Sequence, residues 1–120
     1  MNDLKTKSTL EQADELFFSA KEELCRPEED VVPYMVCHAA YKSVGKYLTG
    51  FLLKNDIEIH NSMSLEVLLK LCQDIEPRFK ELNMDPLLQS TNNEKIWTNM
   101  GTVDTFMDIA SQTRALVGLR

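Results

Sequence analysis

The strongest constraint on the fold is a run of small and apolar side chains at helical spacing between Val31 and Lys54. At about 100° per residue, these side chains fall on an arc wide enough to contact more than one neighbouring element. They are Val36, Cys37, Ala40, Ser43, Val44, Tyr47, Leu48, Phe51 and Leu52. Pro33 is compatible with this helix because it falls in the first turn, where an N–H has no intrahelical partner. The pattern predicts the central helix of a helical bundle.

A first helix is predicted upstream, over about Thr9 to Cys25. Ser8 followed by Glu11 is a capping-box signature, and apolar side chains then recur at three- and four-residue steps. Pro27 ends this helix because the residue before a proline is pushed out of the helical region. The carboxylates of residues 28–30 follow, where they meet the positive end of the central helix dipole.

A third helix is predicted to open at Ser62 or Ser64, since a serine side chain can cap the first turn. Pro77 ends it, and one short turn is expected over residues 78–82. The predicted apolar face of this helix consists of Leu65, Leu68, Leu69, Leu71, Cys72 and Ile75.

A long, asparagine-rich connection over residues 83–101 precedes the last helix. It is predicted to hold a short helix near residues 86–89 and to be pinned to the bundle by Trp97. Thr102 is expected to cap the last helix, and Gly118 to end it. The predicted inward side chains of the last helix are Val103, Phe106, Met107, Ala110 and Val117.

The composition is that of one folded domain. The chain has 120 residues, of which 43% are hydrophobic and 27% charged, a balance too apolar for a disordered segment. The sequence shows no alternating strand pattern and no internal repeat. We therefore predict an all-α fold, a single four-helix up-and-down bundle over residues 1–120, with a long connection before the last helix.

The net charge and the cysteine pattern limit the possible location and partners of the protein. A net charge of −6 repels phosphate backbones and anionic membrane surfaces, so we expect neither bulk nucleic-acid binding nor membrane binding. Cys25, Cys37 and Cys72 show no C-x-x-C pairing and are predicted to be buried side chains of a reducing compartment. The sequence shows neither an apolar signal core nor an apolar run of roughly 20 residues. These features predict a cytoplasmic location.

The central helix also carries a polar stripe, with His38, Lys42 and Lys46 at four-residue spacing and Gly45 on the same face. The histidine and two lysines would suit one phosphate-bearing ligand, although the same stripe is what a solvated helix face looks like. Glycine inside a helix costs about 1 kcal/mol relative to alanine. Gly45 therefore suggests either access for a ligand or a partner backbone, or close helix packing within the bundle.

No catalytic residue, metal site or cofactor is predicted. Cys37 and His38 are adjacent, so their side chains point about 100° apart on a helix, and no third group is marked to orient them. His60 has no second histidine or cysteine at ligand spacing. The carboxylates of residues 22–30 could attract Mg²⁺, but a charge run of this kind is usually solvated.

The central and third helices together carry a family resemblance. This chain resembles the HEPN family, the higher eukaryotes and prokaryotes nucleotide-binding domains, in the stretch VVPYMVCHAAYKSVGKYLTGFLLKNDIEIHNSMSLEVLLKLC. The likeness covers about residues 14–75. Lys46 stands where the family often has the lysine of a Glu-Lys pair, with Gly45 in place of the glutamate. Met63 stands where the histidine of a "T-H-D-L" element is expected. The arginine that precedes a histidine by four to six residues in ribonuclease members is missing.

The resemblance implies a non-catalytic binding module, often a homodimer. Such a module would bind a nucleotide-like ligand, or serve as the antitoxin or substrate-binding partner of a minimal nucleotidyltransferase, as in toxin-antitoxin pairs. The alternative is a helical interaction or dimerisation domain without a small-molecule ligand. An active ribonuclease is the least favoured reading because the Arg-His pair is absent.

Overall fold

The computed structural model describes residues 3–59, 63–90 and 100–118, and within these ranges the chain forms five α-helices and no strand. The helices are α1 (Asp3–Leu24), α2 (Pro33–Lys54), α3 (Leu65–Ile75), α4 (Asp85–Ser90) and α5 (Met100–Gly118), and short 3₁₀ turns lie at Glu28–Asp30 and Pro77–Glu81. The all-α prediction is confirmed. The up-and-down arrangement of four helices stays a prediction, since α4 adds a short fifth helix of 6 residues.

Helix α2 is the centre of the fold, because α1, α3 and α5 all pack against it. All nine side chains that the periodicity predicts to face inward are buried. One of them is polar: the hydroxyl of Ser43 donates a hydrogen bond to the carbonyl of Ala40 at 2.7 Å. This bond offsets the cost of burying the hydroxyl. The broad apolar arc of the sequence therefore corresponds to contacts with three neighbouring helices.

The ends of α2 are set by local chemistry. The helix begins at Pro33, two residues after the predicted start, because Val32 precedes a proline and is extended, with φ −102° and ψ 100°. After Lys54 the chain reverses at Asp56, which has φ 61°, a left-handed conformation that aspartate tolerates better than most residues. The N–H of Ile57 then donates to the carbonyl of Leu52 at 2.9 Å.

Helix α1 begins at Asp3, so the predicted start at Thr9 is wrong. Ser8 lies inside the helix rather than at its cap, and its hydroxyl accepts a hydrogen bond from the side chain of Gln12 at 3.4 Å. Residues 3–8 contain no glycine or proline. A helix that is already formed extends at little cost through such residues, since nucleation is the unfavourable step. The predicted end near Cys25 agrees with the observed end at Leu24.

The start of α3 follows the prediction. The Ser64 hydroxyl accepts a hydrogen bond from the N–H of Val67 at 3.3 Å, so it caps the helix. The following 3₁₀ turn begins at Pro77, as expected for a proline that ends one helix and opens another turn. Ile75 is an exception to the predicted apolar face, because it is exposed.

The start of α5 does not follow the prediction. The helix already includes Met100, so Thr102 lies within it and is not its cap. The sequence pattern also missed two buried side chains, Ile109 and Thr113. The hydroxyl of Thr113 donates to the carbonyl of Ile109 at 2.8 Å, which lets a polar residue sit in the core. The short helix predicted near residues 86–89 is α4, and the prediction for Trp97 lies outside the described residues.

A polar cluster joins three helices. Tyr47 of α2, only 2% exposed, donates its hydroxyl hydrogen to Oδ1 of Asp14 on α1. Arg114 of α5 donates through Nε to the same oxygen at 3.0 Å, and its guanidinium carbon lies 5.0 Å from the ring centroid of Phe18. Burial, followed by the hydrogen bond and charge of Asp14, raises the pKa of Tyr47, so the phenol stays a donor.

Leu10 of α1 packs directly against Gly50 of α2. A Cβ built on this glycine would lie 2.7 Å from Cγ of Leu10 on α1, closer than packed side chains tolerate. The contacts Leu10 to Gly50 and Asp14 to Tyr47 run in opposite directions along the two helices, so α1 and α2 are antiparallel. The glycine therefore fixes the spacing of this helix pair.

We expect Gly50→Ala to lower the free energy of unfolding by about 1 kcal/mol. Overpacking against Leu10 costs about 1–3 kcal/mol, and the gain in helix propensity returns only about 1 kcal/mol. Urea unfolding followed by circular dichroism measures the change. The same substitution made in a Leu10→Ala background should instead stabilise, because the clash is gone. A loss of equal size in both backgrounds would contradict the close approach.

Candidate functional site

An open groove lies along the outer side of α2, with a volume of about 770 Å³. This is within the range of about 300–1,000 Å³ typical of small-molecule sites. Helices α1, α2, α3 and α4 and the segment before α3 all contribute to its walls. The lining residues are Lys5, Thr9, Tyr41, Lys42, Gly45, Lys46, Thr49, Leu53, Ile59, Met63, Ser64, Leu65, Glu66, Leu68 and Leu88.

The structure places three of the four predicted site residues in this groove and adds a lysine that sequence reasoning missed. Lys42, Gly45 and Lys46 line it from α2, and Lys5 lines it from α1. All three lysines are exposed. Lys5 could not be found from the sequence because the predicted helix began at Thr9. Helix α1 begins at Asp3 and is antiparallel to α2, so it carries Lys5 to the part of the groove near the end of α2.

The groove also has aliphatic lining residues. Leu53, Leu65 and Leu68 are buried, and Met63 and Leu88 are partly buried. Glu66 is the acidic residue among the lining residues that the structure describes. A groove with both ammonium groups and aliphatic side chains suits a ligand that combines an anionic group with an apolar part.

Two of the α2 residues that line the groove carry hydroxyl groups. Burial raises the pKa of Tyr41, so its hydroxyl remains protonated over the ordinary pH range. The hydroxyl of Thr49 is already engaged, since it donates to the carbonyl of Gly45 at 2.8 Å. A ligand in the groove would therefore meet lysine ammonium groups first and neutral hydroxyl groups second.

The structure decides between the explanations for Gly45. A Cβ built on this glycine meets nothing within 4 Å among the described residues, so close packing inside the bundle does not account for it. The position opens into the groove instead. Glycine at this point keeps the groove wide where Lys42 and Lys46 flank it. Gly50, which the sequence reasoning did not single out, is the glycine required for helix packing.

We expect Gly45→Ala to raise the free energy of unfolding by about 0.5–1 kcal/mol. The new methyl group has open space, and alanine is the better helix former. Urea unfolding measures this change in parallel with Gly50→Ala, which should act in the opposite direction. Destabilisation by Gly45→Ala would show that a part of the chain contacts this position.

His38, the fourth predicted site residue, is not among the groove residues. Its ring stacks on Tyr34, with centroids 5.8 Å apart and an angle of 15° between the planes. It lies on the same face of α2 one turn before Lys42, and it is exposed. The groove as described therefore holds the predicted lysines and glycine without the predicted proton donor.

The two buried cysteines, Cys37 and Cys72, are unsuited to nucleophilic chemistry. Cys37 and Cys72 are both fully buried, and burial raises their pKa values to about 11 and about 12, respectively. A thiol must be deprotonated to act as a nucleophile, so neither is poised to react near neutral pH. Cys25 is exposed, which corrects the prediction that all three thiols are buried.

The raised pKa values of Cys37 and Cys72 predict that the protein loses stability in alkali. Because their pKa values are raised in the folded chain, their contribution is fully present below pH 9.0 and is lost as the pH rises towards 11 and 12. The expected slope is about 1.4 kcal/mol per pH unit for each thiol. Urea unfolding between about pH 8 and about pH 10.5 measures it. Cys72→Ala should flatten the slope, whereas Cys25→Ala should leave it unchanged; equal slopes in all three proteins would refute the assignment.

Two further features of the described residues bear on the site. No group of three or more His, Cys, Asp or Glu side chains within residues 3–59, 63–90 and 100–118 is arranged to hold a metal ion. In the same ranges no helix combines the length and the apolar character needed to cross a membrane. His60 lies outside the described residues.

Comparisons with known proteins supply no relative from which to read the groove. No protein-family model matches the chain, and neither a curated protein nor a solved structure gives a significant match. The HEPN resemblance therefore stays a prediction from the residues that carry it. The chemistry of the groove has to be inferred from its own side chains.

Proposed function

We propose that the chain is a non-catalytic, HEPN-like binding module whose groove along α2 takes a phosphate-bearing ligand of the nucleotide class. The observation that supports this most is the convergence of Lys5, Lys42 and Lys46 on one groove. The chain as a whole carries a net charge of −6. Three ammonium groups without a described salt-bridge partner therefore form a local region of positive charge on an acidic protein.

The spacing of the lysines fits a phosphate chain. Lys42 and Lys46 are one turn apart, about 6 Å along the helix axis. Lys5 lies on the antiparallel helix α1, level with the end of α2 in the register set by the Leu10–Gly50 and Asp14–Tyr47 contacts, so it would meet a different part of an extended ligand than Lys42 and Lys46 do. Lysine binds phosphate as a point charge on a flexible stem, which does not require a preformed fork. The aliphatic lining residues of the groove are then left for the uncharged part of the ligand.

The proposal assigns no catalytic residue. The buried Cys37 and Cys72 thiols stay protonated, and His38 lies outside the groove. The sequence lacks the arginine that would precede a histidine in a metal-independent ribonuclease of this type. Binding rather than turnover is therefore the activity that the groove supports.

The partners follow from the resemblance alone. We propose a homodimer that associates with a minimal nucleotidyltransferase, either as its antitoxin or as its substrate-binding half. A nucleotidyltransferase encoded beside this chain and eluting with it on size exclusion would support that association. Its absence from the neighbourhood of the gene would leave the groove proposal in place but remove the partner.

A helical interaction domain without a small-molecule ligand is the second candidate. It is favoured by the large apolar side chains that remain exposed near the start of α2, such as Met35, which is 56% exposed. An unliganded and strongly dimeric protein would support this candidate over the first.

The proposal predicts a thermal shift with nucleotides. A ligand at about 100 times its Kd adds about 2.7 kcal/mol, which raises the Tm of a domain of this size by several degrees. A panel of nucleotides, each with and without Mg²⁺, identifies the ligand. The double variant Lys42→Glu with Lys46→Glu should lose the shift, because it places two carboxylates at the phosphate position while leaving the helical content intact.

The matched control is Lys70→Glu with Lys80→Glu, two exposed lysines outside the groove that change the net charge by the same amount. This control should retain the shift. A shift that persists in the Lys42 and Lys46 variant would remove the groove from consideration. No shift with any nucleotide would favour the interaction domain.

A further inference from the structure

A second surface lies at the beginning of α2, on the part of its outer face that does not reach the groove. Val32, Tyr34 and Met35 are 42%, 36% and 56% exposed, respectively. The N–H of Met35 donates to the carbonyl of Val32 at 3.0 Å, so these two residues lie one turn apart at the start of α2. Tyr34 lies beside them and stacks on His38. This apolar patch consists of Val32, Tyr34, Met35 and His38.

The apolar patch is held in place by hydrogen bonds rather than carried on a loose loop. Oε2 of Glu23 accepts a hydrogen bond from the N–H of Val32 at 3.1 Å, which ties the end of α1 to the start of α2. Glu23 also pairs with Arg26 at 3.4 Å. The N–H of Asp30 closes the intervening 3₁₀ turn on the carbonyl of Pro27 at 2.7 Å. A partner would lose little conformational entropy from this side of the contact on binding.

The exposed charges that precede the apolar patch in the chain are mainly acidic, whereas Lys42 lies one turn beyond His38 on its other side. Glu28, Glu29 and Asp30 form the 3₁₀ turn that leads into Val32, and all three side chains are exposed. Arg26 is the sole basic residue between positions 22 and 35, and its guanidinium is already paired with Glu23. Successive side chains of a 3₁₀ turn point about 120° apart, so the three exposed carboxylates are spread around the turn that leads into the patch.

We infer that the apolar patch is a docking surface for a basic amphipathic segment of a protein partner. Its apolar side chains would cover Val32 and Met35, and its lysines or arginines would face the carboxylates of residues 28–30. Anchors of this size with complementary charge at the rim are the usual anatomy of a small interface. The sign of the charge excludes an anionic membrane or a nucleic acid as the occupant.

This surface is independent of the proposed ligand groove. None of Val32, Tyr34, Met35 and His38 lines the groove, and the carboxylates of residues 28–30 do not reach it. His38 does not line the groove, but its ring stacks on Tyr34, so it belongs to the apolar patch. A failure of nucleotide binding would therefore leave the docking surface untouched, and the reverse is also true.

The test uses a fluorescein-labelled peptide of leucine and lysine at helical spacing, about 14 residues or four turns long, titrated with the full chain. Fluorescence anisotropy should show binding of this peptide and none of the matched leucine and glutamate peptide. Val32→Asp with Met35→Asp should weaken binding about tenfold or more, since central apolar anchors carry most of the affinity. Val67→Asp, at an apolar side chain 45% exposed on α3, is the control that should have no effect.

The electrostatic part has its own matched pair of variants. Glu28→Lys with Glu29→Lys and Asp30→Lys should weaken binding about tenfold at low salt, where charge complementarity acts most strongly. Asp74→Lys with Glu81→Lys and Asp104→Lys changes the net charge equally at exposed positions elsewhere and should retain binding.

Three outcomes would overturn the inference. The first is that the leucine and lysine peptide does not bind. The second is that both sets of charge-reversal variants lose the same amount of binding, because the peptide would then be attracted to the acidic protein in general. The third is a chain that is dimeric by sedimentation and becomes monomeric with Met35→Asp, because the occupant of the patch would then be a second copy. Binding of the peptide by the Lys42→Glu with Lys46→Glu variant is expected and separates this surface from the groove.

Discussion

The structure depends on the burial of α2 against three other helices. Its inner arc is filled by α1, α3 and α5, and Gly50 makes room for Leu10 of α1 against the α2 backbone. Tyr47 extends the same contact with a hydrogen bond to Asp14, which Arg114 then joins to α5. Because each neighbour is fixed against α2, the remaining outer strip of that helix is the surface on which polar groups and exposed apolar groups can be presented.

That outer strip is divided by charge along its length. Its beginning is apolar and adjoins the carboxylates of residues 28–30, whereas its middle carries Lys42 and Lys46. The attraction between exposed charges fades over a Debye length of about 8 Å at physiological salt. Each of the two proposed surfaces would therefore act on its own occupant, and an acidic net charge does not prevent a local site for an anion. One helix can in this way present two surfaces with opposite preferences.

Periodicity correctly predicted nine buried residues of α2 but missed Gly50 and Leu53, and it gave no access to the features that depend on long-range contacts. The inward side chains of a helix repeat with its geometry, so they are readable from spacing alone. The starts of α1 and α5 were predicted too late in the chain because Ser8 and Thr102 look like N-terminal caps. In the structure each helix already includes that residue, because nothing in the chain stops it there. The cluster of Asp14, Tyr47 and Arg114 joins residues 33 and 100 positions apart, a relation that no local pattern contains.

The candidate site shows the same limit at the level of single residues. Lys42, Gly45 and Lys46 could be grouped from the sequence because they share one helix face, but Lys5 belongs to the groove only through the antiparallel packing of α1. Gly45 and Gly50 look alike in sequence, five residues apart on one helix. Open space surrounds the first and Leu10 presses on the second, so one glycine shapes the groove and the other sets the helix spacing. Tertiary packing, rather than residue type, decides which of the two is free for function.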